Sequence, residues 1–215
     1  MTKKIKIIIA IVCVILLGIG FTILDAYRYE KSLGGIPIKE YNFKIIGDQK
    51  LIENKKIGFS FQIPADWIED QKGVEEGSML TFASPDVSLQ EGKPVPATGC
   101  LFMVDVVNYD KRDPSNTAQL IQNKIKSIKE APSQFEDSPF QILNINGVDA
   151  YEEIYYRMAD NENGIEAHLY RRVELPQVEL ARVYLFEGFS SGDDIEKCQQ
   201  EFDQILATVK INERK

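Results

Sequence analysis

His168 is the one histidine among 215 residues, so any chemistry that needs an imidazole falls to it. A nucleophilic triad needs a nucleophile and a carboxylate folded around that ring, and no Gly-x-Ser-x-Gly frame supplies the first. Set in IEAHLYRR beside Leu169 and Tyr170, His168 reads as a packed or half-exposed strand side chain, and alone it builds no multi-histidine metal site. Asp160, Glu162 and Gly164 resemble the start of a calcium loop. Arg171 stands where that loop needs a bidentate Glu, so DNENG reads as a turn. Adjacent Glu152 and Glu153 leave opposite faces of a strand and form no catalytic pair; Arg171 and Arg172 diverge in the same way and are left to pair with sheet acids. With no glycine-rich phosphate loop, CxxC pair or HExxH, the sequence assigns no catalytic residue, no cofactor and no metal ligand.

Two residues remain as candidates for a groove or patch. Asp105 interrupts the apolar strand FMVDVV. It is either a buried carboxylate with a raised pKa or, as expected for a sheet with one wet face, a side chain pointing outward. Trp67, the sole tryptophan, either lines a groove or plugs the end of the sheet. The plug is the expectation, since burying an aromatic stabilises by roughly 2–3 kcal/mol. Cys100 and Cys198 carry no metal-ligand spacing; they form one disulfide in an oxidising compartment or remain buried thiols, and the sequence leaves both open.

The elements that position these residues begin with an anchor. From Ile7 to Leu24 there is no charge, Lys3, Lys4 and Lys6 precede the run, and Asp25 and Arg28 follow it. Eighteen residues at 1.5 Å each give about 27 Å of helix, close to the hydrocarbon thickness of a bilayer. A cleaved signal peptide has a shorter apolar core and a small-residue exit, whereas this run leaves through GFTILDAYRYEK. The expected organisation is therefore a cytoplasmic tail, 1–4, a single-pass anchor in the cell membrane, 5–25, a juxtamembrane tether, 26–40, and an extracytoplasmic domain, 41–212. The lysines place the N-terminus in the cytoplasm. With those three set aside, 22 basic residues face 33 acidic ones, a net of −11, which argues against nucleic acid as a partner. The expected partners are the bilayer, through residues 5–25, and an unidentified protein or envelope component.

Beyond the tether, YNFKII, KLIEN, GFSFQIP, SMLTFAS and CLFMVDVVNY read as strands, and 85–99 as a long exposed loop. A helix starts near Asp113 and runs to Pro132 with Leu120, Ile121, Ile125 and Ile128 on one stripe. Asn146-Gly147 is a preferred hairpin turn, and strands continue through IEAHLYRRVEL and VELARVYLFEGF. Asp193 with Glu196 suggests a capping box for a closing helix with Ile195, Cys198, Phe202, Ile205, Leu206 and Val209 on its buried stripe. The pattern predicts an α+β fold, one antiparallel sheet of about six to eight strands flanked by helices.

Gly58-Phe59-Ser60-Phe61 followed by Pro64-Ala65-Asp66-Trp67, together with the closing Phe202-Asp203-Gln204-Ile205-Leu206-Ala207-Thr208-Val209, resembles the PsbP-like domain family over about residues 41–212. The resemblance implies an α/β/α sandwich, here preceded by one transmembrane helix. It also implies a binding or assembly factor rather than an enzyme. The photosynthetic members' metal and photosystem-contact residues have no recognisable counterparts here, so only the fold is carried over. An envelope hydrolase built on Asp105 and the 85–99 loop, or an anchored regulator, are the alternatives.

Overall fold

In the stretch Phe59–Pro64 the residues Phe59, Phe61 and Ile63 are almost fully buried, while Ser60 and Gln62 are half-exposed. That alternation is the period-two pattern of a strand with one face in the core. The computed structural model describes residues 25–27, 33–69, 78–89, 96–130, 141–161 and 164–212. The elements are β1 (Asn42–Ile46), β2 (Gln49–Asn54), β3 (Phe59–Pro64), β4 (Ile68–Glu69), β5 (Leu80–Ala83), β6 (Cys100–Asn108), α1 (Pro114–Glu130), β7 (Gln141–Ile145), β8 (Val148–Asn161), β9 (Gly164–Gln177), β10 (Arg182–Ser191), α2 (Ile195–Thr208) and β11 (Lys210–Ile211). The expected anchor run, 7–24, lies outside the described residues. Among the described residues no helix is long and apolar enough to cross a membrane.

Instead of joining one sheet, the strands divide between two larger antiparallel sheets and a two-stranded ribbon. The larger runs β7-β8-β9-β10-β6-β5-β4, with the short strand Gly34–Gly35 also paired to β6, and the smaller runs β11-β3-β2-β1. Alternation specifies which face of a strand is buried but not which strands are neighbours, so this division was not readable from the pattern. Ring contacts join the two sheets: Phe59 to Tyr184 at 4.9 Å, Phe61 to Phe82 at 5.9 Å and Phe61 to Phe102 at 6.2 Å. Helix α2 packs on the same face of the large sheet through Phe102 and Phe202, 5.2 Å apart and edge to face. It is tied to β3 by the Gln62 N–H, which donates to the Thr208 hydroxyl. Cys198, Phe202, Ile205 and Leu206 form its buried stripe as the spacing predicts.

Close helix-to-sheet approach needs a gap in β10, and Gly188 provides it. A Cβ there would stand 2.5 Å from Cδ2 of Phe202. Gly188→Ala is expected to force the ring aside and cost about 1–3 kcal/mol, read as a lower thermal midpoint. Phe202→Leu in the same background should recover part of the loss. An unchanged midpoint for Gly188→Ala would show that the packing is looser than described.

Four local expectations differ from what forms. The compact body begins at Gly35, because Ile36 and Ile38, assigned to the tether, enter the core. The stretch 85–99 is not simply loop: Ser88–Leu89 pairs with Pro96–Thr98 as a short ribbon, held where the Ser191 hydroxyl donates to the Pro96 carbonyl at 2.6 Å. The capping box does not form. Asp194 is the N-cap residue of α2 without a side-chain cap, because its carboxylate accepts the Gly99 N–H at 2.8 Å instead. On α1, Ile121 is fully buried while Leu120 is exposed, so the stripe is narrower than its spacing suggests; the Ile128 side chain lies outside the described residues. The Asn146-Gly147 turn forms as expected, both residues at positive φ (52° and 86°), as a type I′ hairpin requires.

Candidate functional site

The register places charged residues on the core face of the large sheet. Arg171 lies opposite Gly188 on β10 and Gly188 opposite Phe102 on β6, so Arg171 shares a row with core side chains. Glu152 lies opposite Val173 and is a diagonal neighbour of Arg171, within reach of a long side chain. The Arg171 Nε donates to Glu152 Oε1 at 2.5 Å, and its Nη2 lies 2.7 Å from Asp203 Oδ1 on α2. Its Nη1 donates to the Gln199 carbonyl at 3.4 Å, and the guanidinium sits 4.6 Å from the centre of the Phe202 ring. The Glu152 end is buried, while the Asp203 side chain is 65% exposed. One cation thus meets two carboxylates, one in the core and one at the surface, leaving one negative charge in excess.

Above this triad opens a groove of about 370 Å³. The end of β7 and its turn, Leu143 to Asn146, form one wall; Asp203, Leu206 and Ala207 of α2 form the other, with Arg171 as floor. The Asn146 side-chain amide donates to the Val209 carbonyl and fastens the turn to the end of α2. The volume lies in the range of small ligand sites, and the lining divides evenly between apolar residues, Leu143, Ile145, Leu206 and Ala207, and polar ones, Asn144, Asn146, Arg171 and Asp203. A second void, ringed by Trp67, the two cysteines, Phe102 and Phe202, has only about 10 Å³ of free volume, enough for one water.

Trp67 is 4% exposed and belongs to the core. Lys50 Nζ donates to its carbonyl at 2.8 Å. Asp105 is half-buried on the face opposite Val104 and Val106, beside Gly35 and Ser78; its Oδ1 is enclosed and, among the described residues, accepts no hydrogen bond. Neither residue borders the groove. Asp105 and the described part of 85–99 are not brought together. The ribbon is pinned at Cys100, whose N–H donates to the Ser84 hydroxyl, and Asp105 lies roughly 17 Å further along the strand.

His168 does meet a serine: its Nδ1 lies 2.5 Å from the Ser191 hydroxyl oxygen. That hydroxyl also lies 2.6 Å from the Pro96 carbonyl, which can only accept, an arrangement that fits a ring N–H donating to Ser191. Ser191 is itself 1% exposed. Near the start of α2, Lys197 Nζ lies 2.6 Å from Asp86 Oδ2. Bonds from Lys197, then Ser84, hold the Asp86 carboxyl below its ordinary range, whereas burial raises that of Glu201. Among the described residues no three His, Cys, Asp or Glu side chains gather as metal ligands.

The opposite face of the sheet is aromatic and salt-linked. Tyr155 stacks on Tyr170 at 5.5 Å, and Tyr170 leans on Phe189 at 4.8 Å. Arg172 reaches Glu174 at 2.6 Å. Burial, then the hydrogen bond to Glu153, pushes the Tyr155 phenol up to about 12.

Sequence reasoning left Arg171 to pair with a sheet acid, as it does with Glu152, but missed that the pair is buried and completed by Asp203, though parity carried part of the signal. Leu169, Arg171, Val173 and Leu175 alternate on one face, as do Val148, Ala150 and Glu152, so both charges share the apolar side of their strands.

A family model described as PsbP-like protein matches residues 7–208. No curated protein matches the chain. Among solved structures the chain is similar to cyanobacterial PsbP (CyanoP) from Synechocystis, with 13% identity, a TM-score of 0.44, and coverage of 84% of this chain and 98% of that one. It is similar to the Ran-binding protein Mog1p of Saccharomyces cerevisiae, with 12% identity, a TM-score of 0.43, and coverage of 80% and 96%. A Bacteroides thetaiotaomicron protein matches with 12% identity and a TM-score of 0.45 over 73% of this chain, which spans only 46% of that longer one.

Proposed function

The chain belongs to the PsbP-like protein family, and from that premise we propose that its folded domain is a non-catalytic binding or assembly module held outside the cell membrane by a transmembrane helix over residues 5–25. The observation that carries this reading is the groove over Arg171, which combines ligand-sized volume with an ion pair already fixed in place. A rigid, prepaid arrangement of charge suits binding, because little ordering cost remains when a partner arrives. The uncharged run Ile7–Leu24 behind three lysines supports the anchor. The Cys100–Cys198 disulfide supports an oxidising compartment on the far side. Tethering concentrates the groove at the membrane surface, so even a weak site there would be occupied.

Site-specific photocrosslinking in native membranes tests the proposal. With p-benzoylphenylalanine in place of Ala207 at the groove rim, the full chain is expected to give a discrete adduct that is absent when the probe replaces Asn123 on α1. Protease added outside should also digest the domain in intact cells. Identical adducts from both positions, or a domain shielded from external protease, would defeat the reading.

A further inference from the structure

Strand β1, NFKII, is exposed at all five positions. It stands last in the small sheet among the described residues, paired to β2 from Asn42 opposite Glu53 to Ile46 opposite Gln49. Phe43 lies opposite Ile52 and Ile52 opposite Phe61, so Phe43 and Ile45 are on the core side of the sheet, with Lys44 and Ile46 on the other. Yet Phe43 is 37%, Ile45 66% and Ile46 46% exposed. The strand therefore overhangs the core, and its apolar residues are not there to fill it. Strand formation does not require them either, since threonine serves a wet strand as well. The hairpin is already held in place: Gly47 turns it at a φ of 65°, the Ala65 N–H donates to the Asp48 carbonyl at 2.9 Å, and Lys50 Nζ donates to the Trp67 carbonyl.

Charge indicates what covers this tip. Residues 39–56 carry five lysines against three acids, a net of +2, while the rest of the chain beyond the three N-terminal lysines holds 17 basic and 30 acidic residues, a net of −13. On the hairpin itself Lys44 and Lys50 flank the turn, where Asp48 is the acid. Large apolar side chains beside lysines, on a chain that is otherwise acidic, match an anionic phospholipid surface. The apolar groups enter the boundary of headgroups and acyl chains, and the lysine stems let the ammonium groups stay among the phosphates. Repulsion from the acidic remainder is screened beyond about 10 Å at physiological salt, so the local charge decides. Chain length allows the contact: Ile36, which enters the core, follows Leu24 by 12 residues, a span of at most about 40 Å, and β1 begins six residues later. A second copy of the chain fits less well, because it brings the same lysines to the same tip.

We propose that the β1–β2 hairpin is a membrane-docking tip that seats Phe43, Ile45 and Ile46 in the bilayer surface, with Lys44 and Lys50 on anionic phosphate headgroups. This rests on the anchor reading and adds a second point of contact to it.

The test uses the full chain in nanodiscs of phosphatidylcholine, alone or mixed with phosphatidylglycerol, with a genetically encoded fluorescent residue in place of Ile46, of Asn123 on α1, or of Ile15 in the apolar run. Lipids brominated on their acyl chains are expected to quench the label at 46 and at 15 but not at 123, and at 46 more strongly when phosphatidylglycerol is present. Lys44→Gln should lower the ratio of docked to undocked chains about fivefold in the anionic discs and leave it unchanged in the neutral ones. Ile45→Ser, at an exposed position, should reduce quenching at 46 in both, with the thermal midpoint preserved. A label at 46 quenched no more than one at 123, while the label at 15 is quenched, would overturn docking and leave the anchor standing. Quenching at 46 that ignores both Lys44→Gln and lipid charge would overturn it as well. A label at 15 that escapes quenching would remove the anchor, and docking with it. If p-benzoylphenylalanine at position 46 crosslinks two copies of the chain instead of lipid, the tip belongs to self-association and docking falls.

Discussion

Replacing Cys100 and Cys198 together by alanine is expected to lower the free energy of unfolding by about 4 kcal/mol, with 2–5 as the range. The bond closes a loop with a sequence separation of 98, and chain-entropy arithmetic for a loop of about 100 residues gives roughly 4.7 kcal/mol. In a domain of this size that corresponds to a midpoint lower by roughly 8–16 °C. The position of the bond matters as much as its length. It joins β6, inside the large sheet, to the first turns of α2, the helix whose Phe202 fills the gap at Gly188. Loss of the cross-link should therefore loosen α2 first, and with it the Asp203 wall of the groove. Reduction of the unaltered protein should reproduce the double substitution, since both cysteines are buried and alanine introduces no polar group. Coincident melts of oxidised and reduced protein would show that the helix is held by packing alone. They would also remove one support for an oxidising compartment.

Much of the fold was legible because its strongest signals are local. Phe59, Phe61 and Ile63 alternate into the core, Asn146-Gly147 turns a hairpin, and Cys198, Phe202, Ile205 and Leu206 recur at helical spacing; each was read from fewer than a dozen residues and each formed. What escaped was decided by distant partners. Gly99 sits far from Asp194 in sequence, yet its N–H captures the carboxylate that local reasoning reserved for a helix cap. The two sheets separate because strands with the same burial pattern are interchangeable until their neighbours are known. The site divides along the same line. Strand parity could have placed Glu152 and Arg171 on the apolar side, but nothing in the sequence announces that Asp203, on a helix beyond β10, completes the triad. Trp67 drew attention for its rarity, and a rare aromatic after a strand-ending proline proved to be core.

Removing one partner of the buried pair is expected to be among the most damaging single changes in the domain. Glu152→Ala leaves the Arg171 guanidinium enclosed with only the exposed Asp203 opposite, and Arg171→Ala leaves a carboxylate that is 2% exposed with no counter-charge. Each should cost about 3–5 kcal/mol, because an uncompensated charge in a low-dielectric core loses hydration without recovering it. Asp203→Ala removes only the outer, solvent-screened contact and should cost at most about 1 kcal/mol. Exchanging both buried partners for apolar residues, Glu152→Leu with Arg171→Met, should return stability close to the starting value, since well-packed hydrophobic replacements of buried pairs are often neutral or better. Chemical denaturation of the two single variants, the outer variant and the apolar pair measures all four. Singles that cost no more than Asp203→Ala would mean that water reaches the pair and that the groove floor is not buried. Should the ordering hold, the apolar pair becomes the informative protein. It keeps the fold and the groove's excess charge, but it leaves Asp203 without the guanidinium that orients it. Crosslinks from position 207 that the original chain gives and this variant does not would show that the pair is retained for recognition, at no gain in stability. Undiminished crosslinking would reduce Arg171 to a structural role and leave Asp203 to act alone.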